Sequence, residues 1–198
     1  MPNRFRLSLV FLLTAAFLLL SGCSVNVKKN DNGEDKNVDI DTPFGGIHVK
    51  KGADVRDTGL PVYPGAQPKQ KSDSDSGAEK SANVDISTSA FGVKVVAIEY
   101  QTSDAPSKVI VFYKDKLKQF GTVLECHTSG KNHTYGHTSH KHDSDSEQLK
   151  CEGDDNGKTI ELKVGTESNQ HIVSIDPQDK GSDFALVYVR LRGKEGTI

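Results

Sequence analysis

Five of the seven histidines of this 198-residue chain fall in one stretch, HTSGKNHTYGHTSHKH at 127–142. His133, His137, His140 and His142 follow one another at spacings of four, three and two. Neutral imidazole is a good ligand for zinc, copper and nickel, and a loop able to wrap could bring several such rings around one ion. Asp143, Asp145, Cys126 and Cys151 are the residues that could complete the shell. The tract could also sense pH, because imidazoles gain charge near pH 6.5. Against a built zinc centre stands the irregular spacing, since structural sites pair their ligands two to four residues apart on defined turns. Ordering a loop also costs conformational entropy, which weakens binding. The competing expectation is a low-complexity polar loop without a resident metal.

Other chemistry has little to build on. The chain has no GxSxG elbow, no HExxH helix, no phosphate-binding glycine loop and no CxxC pair. Glu99, Asp104, His48 and His171 are candidate acids or bases, but charged residues are mostly solvated and these read as surface groups on strand edges. Tyr63 and Tyr113 sit among apolar neighbours and read as packing groups. The DSDSG run at 73–77 looks like the start of a calcium loop, yet its glycine comes one position too early and no bidentate Glu follows at the required place. The expectation is a protein without catalysis; an enzyme of unknown class is the remaining alternative.

The N-terminus carries the sharpest pattern. Arg4 and Arg6 precede an apolar run, LSLVFLLTAAFLLL at 7–20, which is too short to span a bilayer comfortably and right for the apolar region of a signal peptide. The run ends in Leu20-Ser21-Gly22-Cys23. This LSGC resembles the lipobox of bacterial lipoproteins. The resemblance implies cleavage before Cys23 and a diacylglyceryl group on its thiol. It also implies several acyl chains, since one chain anchors only marginally. Residue 24 is Ser rather than Asp. In a two-membrane host that resembles the signal for the outer membrane, with the domain facing the periplasm; otherwise the expected place is the cell envelope at large.

The chain beyond position 22 loses Arg4 and Arg6, which leaves 23 basic and 27 acidic residues and a net charge of about −4. Nucleic acid is excluded as an expected partner, because phosphate binding needs a basic patch. The expected partners are the membrane, through the lipid, and a protein of the envelope. An exported compartment permits disulfides, so Cys126 and Cys151 are expected to pair, with a reactive or metal-binding pair as the alternative.

The elements that would position these residues follow from periodicity. NVDIDTPFGGIHVKKG alternates as two short strands around a turn at Pro43 and Gly45-Gly46. The prolines of GLPVYPGA, at 59–66, hold it extended. NVDISTSAFGVKVV at 83–96 echoes the first hairpin and reads as a second one. A helix is predicted over 104–120. Ser103 or Asp104 would cap it and Pro106 would lie in its first turn; Val109, Phe112, Tyr113, Leu117 and Phe120 share one face, and Gly121 would take a left-handed exit. Strands are predicted over 122–126, 148–152, 159–165, 171–176 and 185–191, with Asn156-Gly157 as a hairpin turn. GLPVYPGA, the helix DAPSKVIVFYKDKLKQFG and the strands after them resemble a broad group of uncharacterised bacterial exported proteins that share a YPGA segment and an FYK..L...G helix. That resemblance implies an exported context and supports the fold; no catalytic residue is carried over with it.

The expected architecture is α+β, a mostly antiparallel sheet packed by one main helix, with an N-terminal β-hairpin region. The expected division is a signal peptide at 1–22, a tether at 23–36, an N-terminal β region at 37–66 and a loose Ser/Asp-rich loop at 67–82. An α+β domain at 83–192 follows, with a His-rich loop at 127–146, and a tail at 193–198 ends the chain. The expected function is that of a membrane-anchored, non-catalytic binding or interaction module. A transition-metal-binding lipoprotein using zinc or copper is the alternative.

Overall fold

The sequence FGVKVVAIEYQT is apolar at both odd and even positions, so a strand built from it has two faces to bury. In the computed structural model, which describes residues 24–29, 35–70, 80–128, 148–151 and 157–193, this strand is the middle of the molecule. The described elements run β1 (Ser24–Lys29), β2 (Asp35–Thr42), β3 (Gly45–Lys51), β4 (Gln67–Pro68), β5 (Ser81–Thr88), β6 (Phe91–Thr102), α1 (Pro106–Leu117), β7 (Leu124–Thr128), β8 (Thr159–Thr166), β9 (Asn169–Gln178) and β10 (Gly181–Gly193). The strands form one antiparallel sheet in the order β1-β2-β3-β5-β6-β10-β9-β8-β7, and β4 pairs with the end of β6. The class is the expected α+β, one helix on an antiparallel sheet.

The two longest strands, β6 and β10, pair without a break from Ser182↔Thr102 to Gly193↔Phe91. Toward the Thr102 end, Ile98, Tyr100, Phe184 and Leu186 are buried beneath α1 together with Leu162, Val164, Val173 and Ile175 of β8 and β9. The helix contributes Val109, Tyr113 and Leu117, spaced by four and fully buried. Burying such a side chain is worth about 1.5–3 kcal/mol, so this stripe is what holds the helix down. Phe112 is half-buried, and Phe120 lies past the helix in the 3-10 turn Lys118–Phe120.

Toward the Phe91 end the sheet continues into β5, β3, β2 and β1, and the apolar positions move to the face away from α1. Val38, Ile40, Val49, Val84, Ile86, Val93 and Val95 lie there in register across the hairpins β2–β3 and β5–β6, and all are half-buried. The echo between 37–49 and 83–96 is therefore two neighbouring hairpins of one sheet, and the β region at 37–66 is continuous with the strands after it. Gly45 allows this neighbourhood: its φ is +153°, and a Cβ there would sit 2.2 Å from the Ser87 carbonyl oxygen.

Several expectations are corrected. Residues 24–29 of the expected tether are strand β1, paired with β2 from Ser24↔Asp41 onward. The charged composition hid a six-residue segment that a neighbouring strand can recruit through backbone bonds alone. The expected loop at 67–82 holds β4, the start of β5, and the bonds Lys69 N–H to Glu99 O and Lys80 N–H to Lys69 O, so chain on both sides of 71–79 belongs to the sheet. The strand expected at 148–152 is a single bridge, Gln148↔Thr166. The strand expected at 122–126 begins at Leu124, and β10 runs on to Gly193, the first residue of the expected tail. The helix N-cap is Ala105, with no side-chain cap, and Gly121 leaves at φ 137°, ψ −157° rather than in a left-handed helical turn.

Cys126 and Cys151 form a disulfide, which ties residues 148–151 to β7. Both thiols are consumed, so neither is available as metal ligand or nucleophile. The bond closes a loop with a sequence separation of 25. Reduction is expected to lower the unfolding free energy by about 3.5 kcal/mol on chain-entropy grounds. Urea titration with and without reductant measures this, and coincident midpoints would show that the crosslink adds no stability.

Candidate functional site

GLPVYPGA begins where the 3-10 turn Val55–Thr58 ends. Gly59, at φ 71° and ψ 3°, makes the left-handed exit. The segment then passes between α1 and the sheet, extended only as far as Tyr63 and not over all of 59–66 as expected: it turns at Pro64-Gly65, where the Ala66 N–H donates to the Tyr63 carbonyl at 3.0 Å and Gly65 takes φ 78°, while Leu60 and Tyr63 are buried. The buried Tyr113 hydroxyl fixes that passage. It accepts from the Tyr63 backbone N–H at 3.0 Å and donates to the Pro61 carbonyl at 3.2 Å. The Tyr63 hydroxyl donates to Asp104 Oδ2 at 2.9 Å, and Lys108 Nζ donates to Asp104 Oδ1 at 2.7 Å. Ser182 Oγ donates to the Asp104 carbonyl. Asp104, expected as a helix cap, therefore serves as an acceptor between segment and helix.

The electrostatics of this tyrosine joint follow from its burial and its hydrogen bonds. Burial pushes the Tyr113 phenol well above its ordinary range. Burial, then the bond to Asp104, raises Tyr63. Lys108 first, and Tyr63 second, hold Asp104 below the usual carboxylate range. Each shift favours the protonation state that these hydrogen bonds use, the phenols as donors and the carboxylate as acceptor. With Leu60 and Tyr63 buried, GLPVYPGA has its anchoring side chains in the core and presents mainly Pro61, Pro64 and Gly65 outward.

The two isolated histidines have different surroundings. His171, on β9, donates from Nδ1 to the Thr58 carbonyl at 2.9 Å and stacks on Phe120 at 3.9 Å between ring centres. Burial lowers its pKa. His48, on β3, has Nδ1 3.0 Å from Asp39 Oδ1 and Nε2 3.7 Å from Asp41 Oδ1. It lies in an open polar depression of about 580 Å³ with Asn37, Asp39, Lys50, Asp57, Asn83, Asp85 and Lys94. The carboxylate of Asp39 orients the imidazole. Among the described residues the lining holds no hydroxyl or thiol side chain. This depression was not anticipated. Its signal was the doubled NVDI, which sets Asn37 and Asp39 on one strand and Asn83 and Asp85 on another, on the same face as His48 and Lys94.

A scan against protein-family models, a search of curated proteins and a search of solved structures return no match for this chain. Of the remaining expected positions, Glu99 pairs with Lys80 at 3.7 Å. His127, the penultimate residue of β7, has Nε2 3.4 Å from Glu125 Oε1. Cys23, His133, His137, His140, His142 and the DSDSG run lie outside the described residues. Among the described residues no group of three or more His, Cys, Asp or Glu side chains is placed to hold a metal ion.

Two outcomes follow from this geometry. Tyr113→Phe deprives the buried Tyr63 N–H of its acceptor and should cost about 1–3 kcal/mol of stability, read from urea unfolding. A loss no larger than that of an exposed substitution would show that the bridge is dispensable. For His171 the folded pKa is depressed, so the unfolded chain takes up the proton first. The neutral ring's contribution is complete above the ordinary value of 6.5 and is lost as the pH falls below it. The melting temperature of the wild type should therefore drop more steeply on acidification than that of His171→Gln; parallel curves would contradict the assignment.

Proposed function

We propose that this chain is an exported lipoprotein, cut before Cys23 and held on a membrane of the cell envelope by lipid on that cysteine, where it acts as a non-catalytic binding or interaction module. The observation that carries the reading is Leu20-Ser21-Gly22-Cys23 directly after an apolar run that itself follows Arg4 and Arg6. The Cys126–Cys151 disulfide suits an oxidising compartment. Most of the acids and bases that a catalytic reading would need have structural partners: Asp104 in the tyrosine joint, His171 under Phe120, Glu99 with Lys80. In a host with two membranes, Ser24 directs the same reading to the outer membrane and its periplasmic side.

Fractionation of cells expressing the wild type and Cys23→Ser tests the anchor. The wild type should sediment with membranes and appear in detergent extracts. The variant should appear as an uncut precursor or move to the soluble fraction. Identical fractionation and migration of the two would contradict the reading.

A further inference from the structure

Seven large apolar side chains stand exposed among the described residues, and five of them lie at one end of the sheet. Val25, Ile47 and Leu191 are 62 %, 39 % and 45 % exposed. They belong to a single cross-strand row, Val25↔Ile40↔Ile47↔Ile86↔Val93↔Leu191, on the face away from α1. Phe91, 48 % exposed, is two residues beyond Val93 on that face. Phe44, 81 % exposed, sits in the turn between β2 and β3. Because Gly45 pairs with Thr88, this turn and the Ser89-Ala90 turn project from the same end of the sheet.

The chain enters at that same end. Ser24 opens β1 and pairs with Asp41, one residue before Thr42, where β2 gives way to its turn. Cys23 is one peptide unit earlier, about 3.8 Å along the chain. A lipid on Cys23 thus has no spacer between it and the sheet, and the two hairpin tips are brought to the surface that holds the lipid. Resting on the lipid-anchor reading, we infer that this rim — Phe44, Phe91, Val25, Ile47 and Leu191 — seats in the membrane interface as a second contact beside the acyl chains. Apolar and aromatic side chains at the level of the headgroups lose exposed area that would otherwise face water, and they add a contact to the one the acyl chains make. The polar face nearby carries both signs, Asp39, Asp41 and Asp85 against Lys94, Arg190 and Arg192, so the rim's attraction is for lipid as such rather than for anionic headgroups.

The chain contains no tryptophan, so a single substitution gives an unambiguous optical probe. Full-length F44W, F91W and V111W are purified with their native N-termini and reconstituted into phosphatidylcholine vesicles with and without brominated acyl chains. Val111, 69 % exposed on α1, represents a rival apolar patch on the other face. Flotation reports anchoring, and bromine quenching reports contact. Flotation of all three, with F44W and F91W blue-shifted and at least about twofold more quenched than V111W, supports the proposal. Flotation with no excess quenching of F44W and F91W overturns it while leaving the anchor in place. Quenching of V111W alone assigns the membrane contact to the helix face and also overturns it. Blue-shifted F44W and F91W without lipid, dependent on protein concentration, would assign the rim to a second copy of this chain. Failure to float would remove the anchor reading and the rim together.

Discussion

The unbroken pairing of β6 with β10 is the constraint on which the rest of this structure depends. Its twelve-residue β6 strand is apolar on both faces and therefore needs cover on both. Near Thr102, the face bearing Ile98 and Tyr100 receives α1 and the GLPVYPGA segment. Near Phe91, the face bearing Val93 and Val95 lines up with the valines and isoleucines of the two hairpins. One strand pair thus joins a helix-covered core to an open sheet, and a slip of one residue in its register would turn both apolar sets inside out.

The parts of the fold legible in the sequence are those where period and local chemistry agree. The stripe Val109, Tyr113, Leu117 repeats every four residues, and that alone places a helix with one buried face. The alternation in β8, β9 and β10 and the paired NVDI segments are equally plain. What was illegible was decided by partners distant in sequence. β1 contains two valines among polar residues and is a strand because β2 offers it an edge. The segment at 148–151 resembles a strand locally, but a disulfide and a single bridge determine its place. Asp104 reads as a cap until Tyr63, 41 residues earlier, claims its carboxylate. The polar depression around His48 needs four strands, β2, β3, β5 and β6, in register before its residues meet, and no single segment announces it.

Chemistry and placement divide along the chain. The tyrosine joint, the stacked His171 and the Cys126–Cys151 bond account for much of the reactive-looking inventory of the described residues as structure. The proposed position in the cell rests on the first 24 residues instead. With no spacer before β1, an anchor at Cys23 would hold one particular end of the sheet, with its exposed phenylalanines, toward the lipid and leave the tyrosine joint and helix facing away. Among the described residues no helix is long and apolar enough to cross a membrane.

The measurement that bears hardest on this picture is the mass of the N-terminal peptide of the protein extracted from membranes of its own host. The anchored reading requires a chain that begins at Cys23 and carries the mass of a diacylglyceryl thioether on its sulfur. A chain that begins elsewhere, with Cys23 either missing or holding an unmodified thiol, would contradict it.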